Sequence, residues 1–118
     1  MTALVVAIAG ALGVLSRYGL SSIPHGDALP WMTVAINVAG SFALGVLVVV
    51  PLGSEQLRTA LGVGFLGGFT TFSTFSVQAV LDIDSGEPGR AALYVLASVV
   101  LGIAAAAAGY ALAHSLRG

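Results

Sequence analysis

Four apolar stretches, residues 3–21, 31–50, 57–81 and 91–116, constrain this chain more than any other feature. A hydrocarbon core of about 30 Å is crossed by about 20 apolar residues in a helix, and each stretch has that size. No Asp or Glu falls inside them. The five carboxylates, Asp27, Glu55, Asp82, Asp84 and Glu87, stand in the separators, among the turn and breaker residues Pro24, Gly26, Pro30, Pro51, Gly53, Gly86 and Pro88. Only 8% of the residues are charged, against about 25% in soluble domains. Such a chain cannot coat a core with solvated side chains, so its outer surface must face lipid.

Segments such as Leu44–Val50 and Val99–Ala108 lack the alternation a β-barrel strand requires. The expected fold is therefore an all-α integral membrane protein, a single domain over residues 1–118 with four transmembrane helices. The linkers are short enough to make consecutive helices antiparallel neighbours. Trp31 stands where an aromatic ring suits the headgroup level. The first stretch has no basic n-region and no evident cleavage site, so it is read as a retained span rather than a signal peptide.

A net charge of −1, with four arginines and no lysine, gives no basic patch for nucleic acid. The chain has no cysteine, and His25 and His114 have no histidine or carboxylate at ligand spacing. Arg58 and Arg117 fall on the N-terminal side, Arg90 on the other, and Arg17 near that second face. Two arginines against one or two is a weak topogenic bias. It permits insertion in both orientations and also a fixed one.

A proton-coupled exporter needs a carboxylate within the membrane, so the missing one weighs against a small four-helix multidrug exporter. A non-transporting assembly subunit is the other alternative. The spans hold neutral hydrogen-bonding groups instead: Asn37 and Ser41, a hydroxyl cluster at 70–76, and Tyr94 with Ser98. Neutral groups bind an ion weakly enough to release it.

The hydroxyl cluster follows a glycine-rich run. Gly62, Gly64, Gly67 and Gly68 weaken a helix, and Ser and Thr compete for its backbone bonds, so a mid-membrane break is expected at Gly67–Thr71. A break frees carbonyls that lipid cannot satisfy, which makes a bound cation a reasonable occupant. On a regular helix Phe72 and Phe75 share one side, and Thr70, Ser73 and Thr74 the other. The phenylalanines and hydroxyls are read either as packing and back-bonding or as an anion path, since aromatic edges are electropositive. Arg17, one turn from its helix end, reads as a snorkelling side chain or as an anion-attracting vestibule. Gly45, Gly102 and Ala106 read as close-packing positions, whereas an amide at Asn37 carries a desolvation cost that favours a function.

The run Gly67-Gly68-Phe69-Thr70-Thr71-Phe72-Ser73-Thr74-Phe75-Ser76 closely resembles the signature of the Fluc fluoride channels, also called CrcB proteins. Gly10-x-x-Gly13-x-x-x-Arg17-Tyr18 and Asn37 extend the resemblance over the chain. It implies an antiparallel, dual-topology homodimer in the cell membrane, with two pores for passive fluoride export, a central structural sodium ion at the broken third helices, and no enzymatic activity. By position, Gly67 and Thr70 supply sodium-binding carbonyls, and Phe72, Phe75 and Asn37 line the fluoride path. Ser73 and Thr74 match its hydroxyl positions, and Tyr94 and Ser98 its polar track. Arg17 concentrates fluoride at the pore mouth. Where the track is expected to continue with a serine this chain has Gly102, and pairing with a related second subunit stays open.

Overall fold

The computed structural model describes residues 1–24 and 31–117, and every described element is helical. The first linker, including His25, Gly26, Asp27 and Pro30, lies outside the described residues. Helix α1 spans Thr2–Ser21 and α2 spans Trp31–Leu47. A composite third segment follows: α3 (Glu55–Thr59), a π-helical stretch (Ala60–Leu66), α4 (Gly67–Phe69) and, after a break, α5 (Ser73–Asp84). Helix α6 spans Pro88–Arg117.

Among the described residues three helical segments are long and apolar enough to cross a membrane: Thr2–Ser21, Glu55–Asp84 and Pro88–Arg117. This is a multi-pass membrane protein. The stretch read as 31–50 is regular helix for only 17 residues and ends at Leu47, before Pro51 removes the next backbone donor. The turns are built as their residues demand. Gly53 (φ +77°) and Gly86 (φ +81°) adopt left-handed conformations that a side chain would strain. Ser54 caps α3 by accepting from the Leu57 N–H at 3.3 Å.

The tight pairs are alternate helices rather than consecutive ones. Helix α1 lies along the third segment: Gly64 faces Val6 and Ala9, Gly68 faces the Gly10 carbonyl, and Gly13 faces the Phe65 carbonyl. Helix α2 lies along α6, with Gly45 against the Ala106 carbonyl and Gly109 against the Phe42 carbonyl. Val6 meets Gly64 and Val14 meets Gly68 in the first pair, and Val34 meets Tyr94, Ser41 meets Gly102 and Val49 meets Arg117 in the second, so both pairs run parallel. Without a hydrophobic drive between helices in lipid, backbone approach through missing side chains is what holds them. The packing expected of Gly45 and Ala106 is seen, whereas a side chain at Gly102 would meet nothing closer than the Ser41 hydroxyl at 3.8 Å.

The carbonyls freed at the end of α2 are taken by arginines. Arg58 donates to the Leu47 carbonyl and to that of Val50 at 2.7 Å, and Arg117 donates to that of Val49 at 3.2 Å. Both charges sit where the negative end of the helix dipole favours them.

One sequence expectation needs correction. Asp82 was placed in a linker, but α5 continues to Asp84 and leaves Asp82 only 7% exposed. Arg90 approaches its carboxylate to 3.8 Å, and the Gln78 amide donates to it at 3.3 Å. A buried carboxylate requires such partners, and these come from within α5 and across the hairpin to α6.

Candidate functional site

The composite third segment breaks where its glycines and hydroxyls predict. The π-helical stretch gives way at Gly67, α4 lasts one turn, and Thr70 is extended (φ −88°, ψ 161°). π-Helical turns concentrate at functional sites. The Thr70 N–H and hydroxyl both reach back to the Leu66 carbonyl at 3.0 Å, which ends the helix. Beyond the break the Thr71 hydroxyl accepts from the Thr74 N–H at 3.2 Å and starts α5.

Asn37 of α2 holds this backbone by two bonds. Its Oδ1 accepts from the Thr71 N–H at 2.9 Å, and its Nδ2 donates to the Thr71 carbonyl at 3.0 Å. The amide thus replaces a helical partner on each side of one residue, which offsets its cost in the membrane. From the opposite side the Arg17 Nε donates to the Gly68 carbonyl at 3.2 Å. Among the described residues the Gly67 and Thr70 carbonyls accept no hydrogen bond.

Beside the break lies a groove of about 350 Å³, lined by Asn37, Ser41, Thr70, Phe72, Phe75 and Ser98 among others. Gly67 and Gly102 also border it, and among the described residues no ionised side chain does. Gly40 adds room, since a side chain there would strike the Thr70 methyl. The regular-helix expectation set Thr70 opposite the phenylalanines. The break abolishes that periodicity and turns all three toward one groove.

Phe72 and Phe75 meet at 5.7 Å with planes tilted by 55°, and Phe75 meets Tyr94 at 5.2 Å and 52°. Phe72 is 78% exposed and Tyr94 is wholly buried. Tyr94 stands behind Phe75 in a small core with Val34, Val38 and Ala79. Its ring supports the groove wall without lining it. The Ser98 hydroxyl has no hydrogen-bond partner among the described residues.

The groove thus gathers Asn37, Gly67, Thr70, Phe72, Phe75 and Ser98. Ser73 and Thr74 are exposed on the first turn of α5 and do not line it. Arg17 reaches the break from α1, on another side. Sequence reasoning put Thr71 at the break but missed that its N–H and carbonyl both bond Asn37, and it overlooked Gly40, which makes room for Thr70. The three-residue step from Asn37 to Gly40 was the available signal, because it puts both on one helix face.

A family model described as CrcB-like protein, Camphor Resistance (CrcB), matches residues 4–110. The chain belongs to the CrcB family. CrcB relatives resemble it over nearly their whole length. A protein of Thermus thermophilus is 42% identical over 121 residues, covering 98% of this chain and 97% of the relative. One of Geobacter sulfurreducens is 43% identical, covering 98% of each, and one of Rhodospirillum centenum is 46% identical, covering 92% of each. All three bear the name fluoride-specific ion channel FluC.

Proposed function

We propose that this CrcB-family chain is a fluoride channel that carries the ion passively through the cell membrane and relieves fluoride toxicity. The observation that carries this reading is the groove at the broken segment. It offers an amide, hydroxyls and two aromatic rings, with no fixed charge to trap an anion. The near-full-length relatives named as fluoride channels supply the identity of the ion.

A groove open along one side does not enclose an ion, so the reading includes a second copy that closes it. With α2 counted as a short fourth span, four helices per chain assemble as an antiparallel homodimer. Two-fold symmetry gives two equivalent grooves, hence two pores. It also brings two broken segments together, and the unbonded Gly67 and Thr70 carbonyls become four oxygens. Carbonyl oxygens are the donors a hard cation prefers, and these four fit a structural sodium ion. In the pore, Phe72 and Phe75 present ring edges to the anion and Asn37 and Ser98 supply donors within the groove, while the hydroxyls of Ser73 and Thr74, exposed outside it, extend the route toward the second copy. Tyr94 holds Phe75 in place.

The test is efflux from liposomes loaded with fluoride or chloride, under a potential set by a potassium ionophore. Rapid fluoride release without chloride release is expected. Equal release of both, or of neither, would sink the reading.

A further inference from the structure

Arg17 stands one turn before the end of α1, where an arginine ordinarily runs outward to the headgroups. Its Nε instead donates to the Gly68 carbonyl at 3.2 Å. Gly68 lies near the middle of the third segment, about 13 residues from Glu55 and about 16 from Asp84, so the guanidinium bonds backbone well inside the apolar span. A charge kept there needs a specific acceptor.

The break provides one. In an unbroken helix the Gly68 carbonyl would accept from the Phe72 N–H, four residues on. The extended conformation at Thr70 interrupts that ladder. A carbonyl left without a donor in lipid is costly, and a charged N–H is among the strongest replacements. The alignment is built in by the glycine contacts of α1. Gly10 abuts Gly68 and Gly13 abuts Phe65, and Arg17 follows Gly13 by about one turn. The broken backbone is therefore held from two sides, by Arg17 at Gly68 and by Asn37 at Thr71. The Gly67 and Thr70 carbonyls flank these held points.

We propose that Arg17 is a positioning residue for the broken segment. Its Nε–H bond to the Gly68 carbonyl fixes the break, and conduction depends on that bond rather than on attraction of anions by the guanidinium charge. The conduction half of this proposal rests on the channel reading above.

Two substitutions separate bond from charge. In Arg17→Gln the Nε2 stands as many bonds from Cα as the arginine Nε does, so the donor is kept and the charge removed. Arg17→Met keeps the length and removes both. Amide hydrogen exchange at residues 71–74 and fluoride flux against concentration are measured on the full chain in nanodiscs and liposomes.

The expected result is that Met speeds exchange by more than about tenfold, the factor for losing a hydrogen bond from a charged donor. Met also lowers maximal flux without moving the half-saturating concentration, and Gln restores most of both exchange protection and flux. Unchanged exchange in Met would overturn the proposal. So would equal flux loss in Gln and Met with a raised half-saturating concentration, the mark of a lost attractor, or failure of both variants to fold. Should the unsubstituted protein carry no fluoride, the channel reading fails, and the exchange comparison still decides the role of Arg17.

Discussion

Phe72 and Phe75 stand three residues apart in very different surroundings, one exposed beside the groove and the other wedged against Tyr94. Their substitutions should differ accordingly. An aromatic contact of about 1.5 kcal/mol corresponds to roughly tenfold in rate. Phe72→Ile and Phe75→Ile should therefore each cut fluoride flux in liposomes by about that factor or more. Only Phe75→Ile should also lower thermal stability, by about 1 kcal/mol for a reshaped contact, because Phe72 supports little besides its neighbour ring. Undiminished flux in both would return the pair to packing. The importance of these two residues and of Asn37 was legible in the sequence, since apolar rings amid hydroxyls and a lone amide in a span are unusual. The burial of Tyr94 was not. A tyrosine four residues from a serine has the same spacing whether it lines a path or backs one, and only the position of Phe75 decides.

At the scale of elements, glycine does two jobs that look alike in the sequence. At Gly13 a Cβ would drive into the Phe65 carbonyl, whereas at Gly19 of the same helix nothing lies within 4 Å. Gly13→Ala should destabilise the protein by about 1–3 kcal/mol, the usual cost of overpacking. Gly19→Ala should be neutral or stabilise by roughly 0.5–1 kcal/mol through helix propensity. Melting in detergent, followed by circular dichroism, checks both, and equal effects would refute the packing account. The break at Gly67–Thr71 was readable because glycines and hydroxyls weaken a helix wherever they cluster. The place of Asp82 was not, because a carboxylate at the edge of an apolar stretch reads as solvated. Its partners are Gln78, one turn back, and Arg90 across a hairpin. The alternate pairing of helices was equally hidden: short linkers fix direction but not which faces meet.

For the whole molecule, the open groove and the unbonded carbonyls at the break are both completed by a second copy in the proposed dimer. If that copy is antiparallel, a tag at the C-terminus should be labelled from both sides of intact cells expressing this chain alone. Cross-linked protein should migrate as a dimer. Labelling from one side only would point to a parallel assembly or a related partner. The arginine tally left orientation undecided, and the structure explains part of that. Arg58 and Arg117 are engaged by the carbonyls at the end of α2, so their placement serves helix capping as well as topology.

That capping also has a consequence in time. Helix α2 enters the membrane second, yet its close partner α6 and the Arg117 that bonds the Val49 carbonyl are synthesised later, after the whole third segment. During translation the end of α2 therefore waits with carbonyls still seeking donors. Arg58 supplies the first of these and α6 the remainder. A chain that ends before α6 leaves the second helix only half secured, with Arg58 on the Leu47 and Val50 carbonyls and nothing on that of Val49.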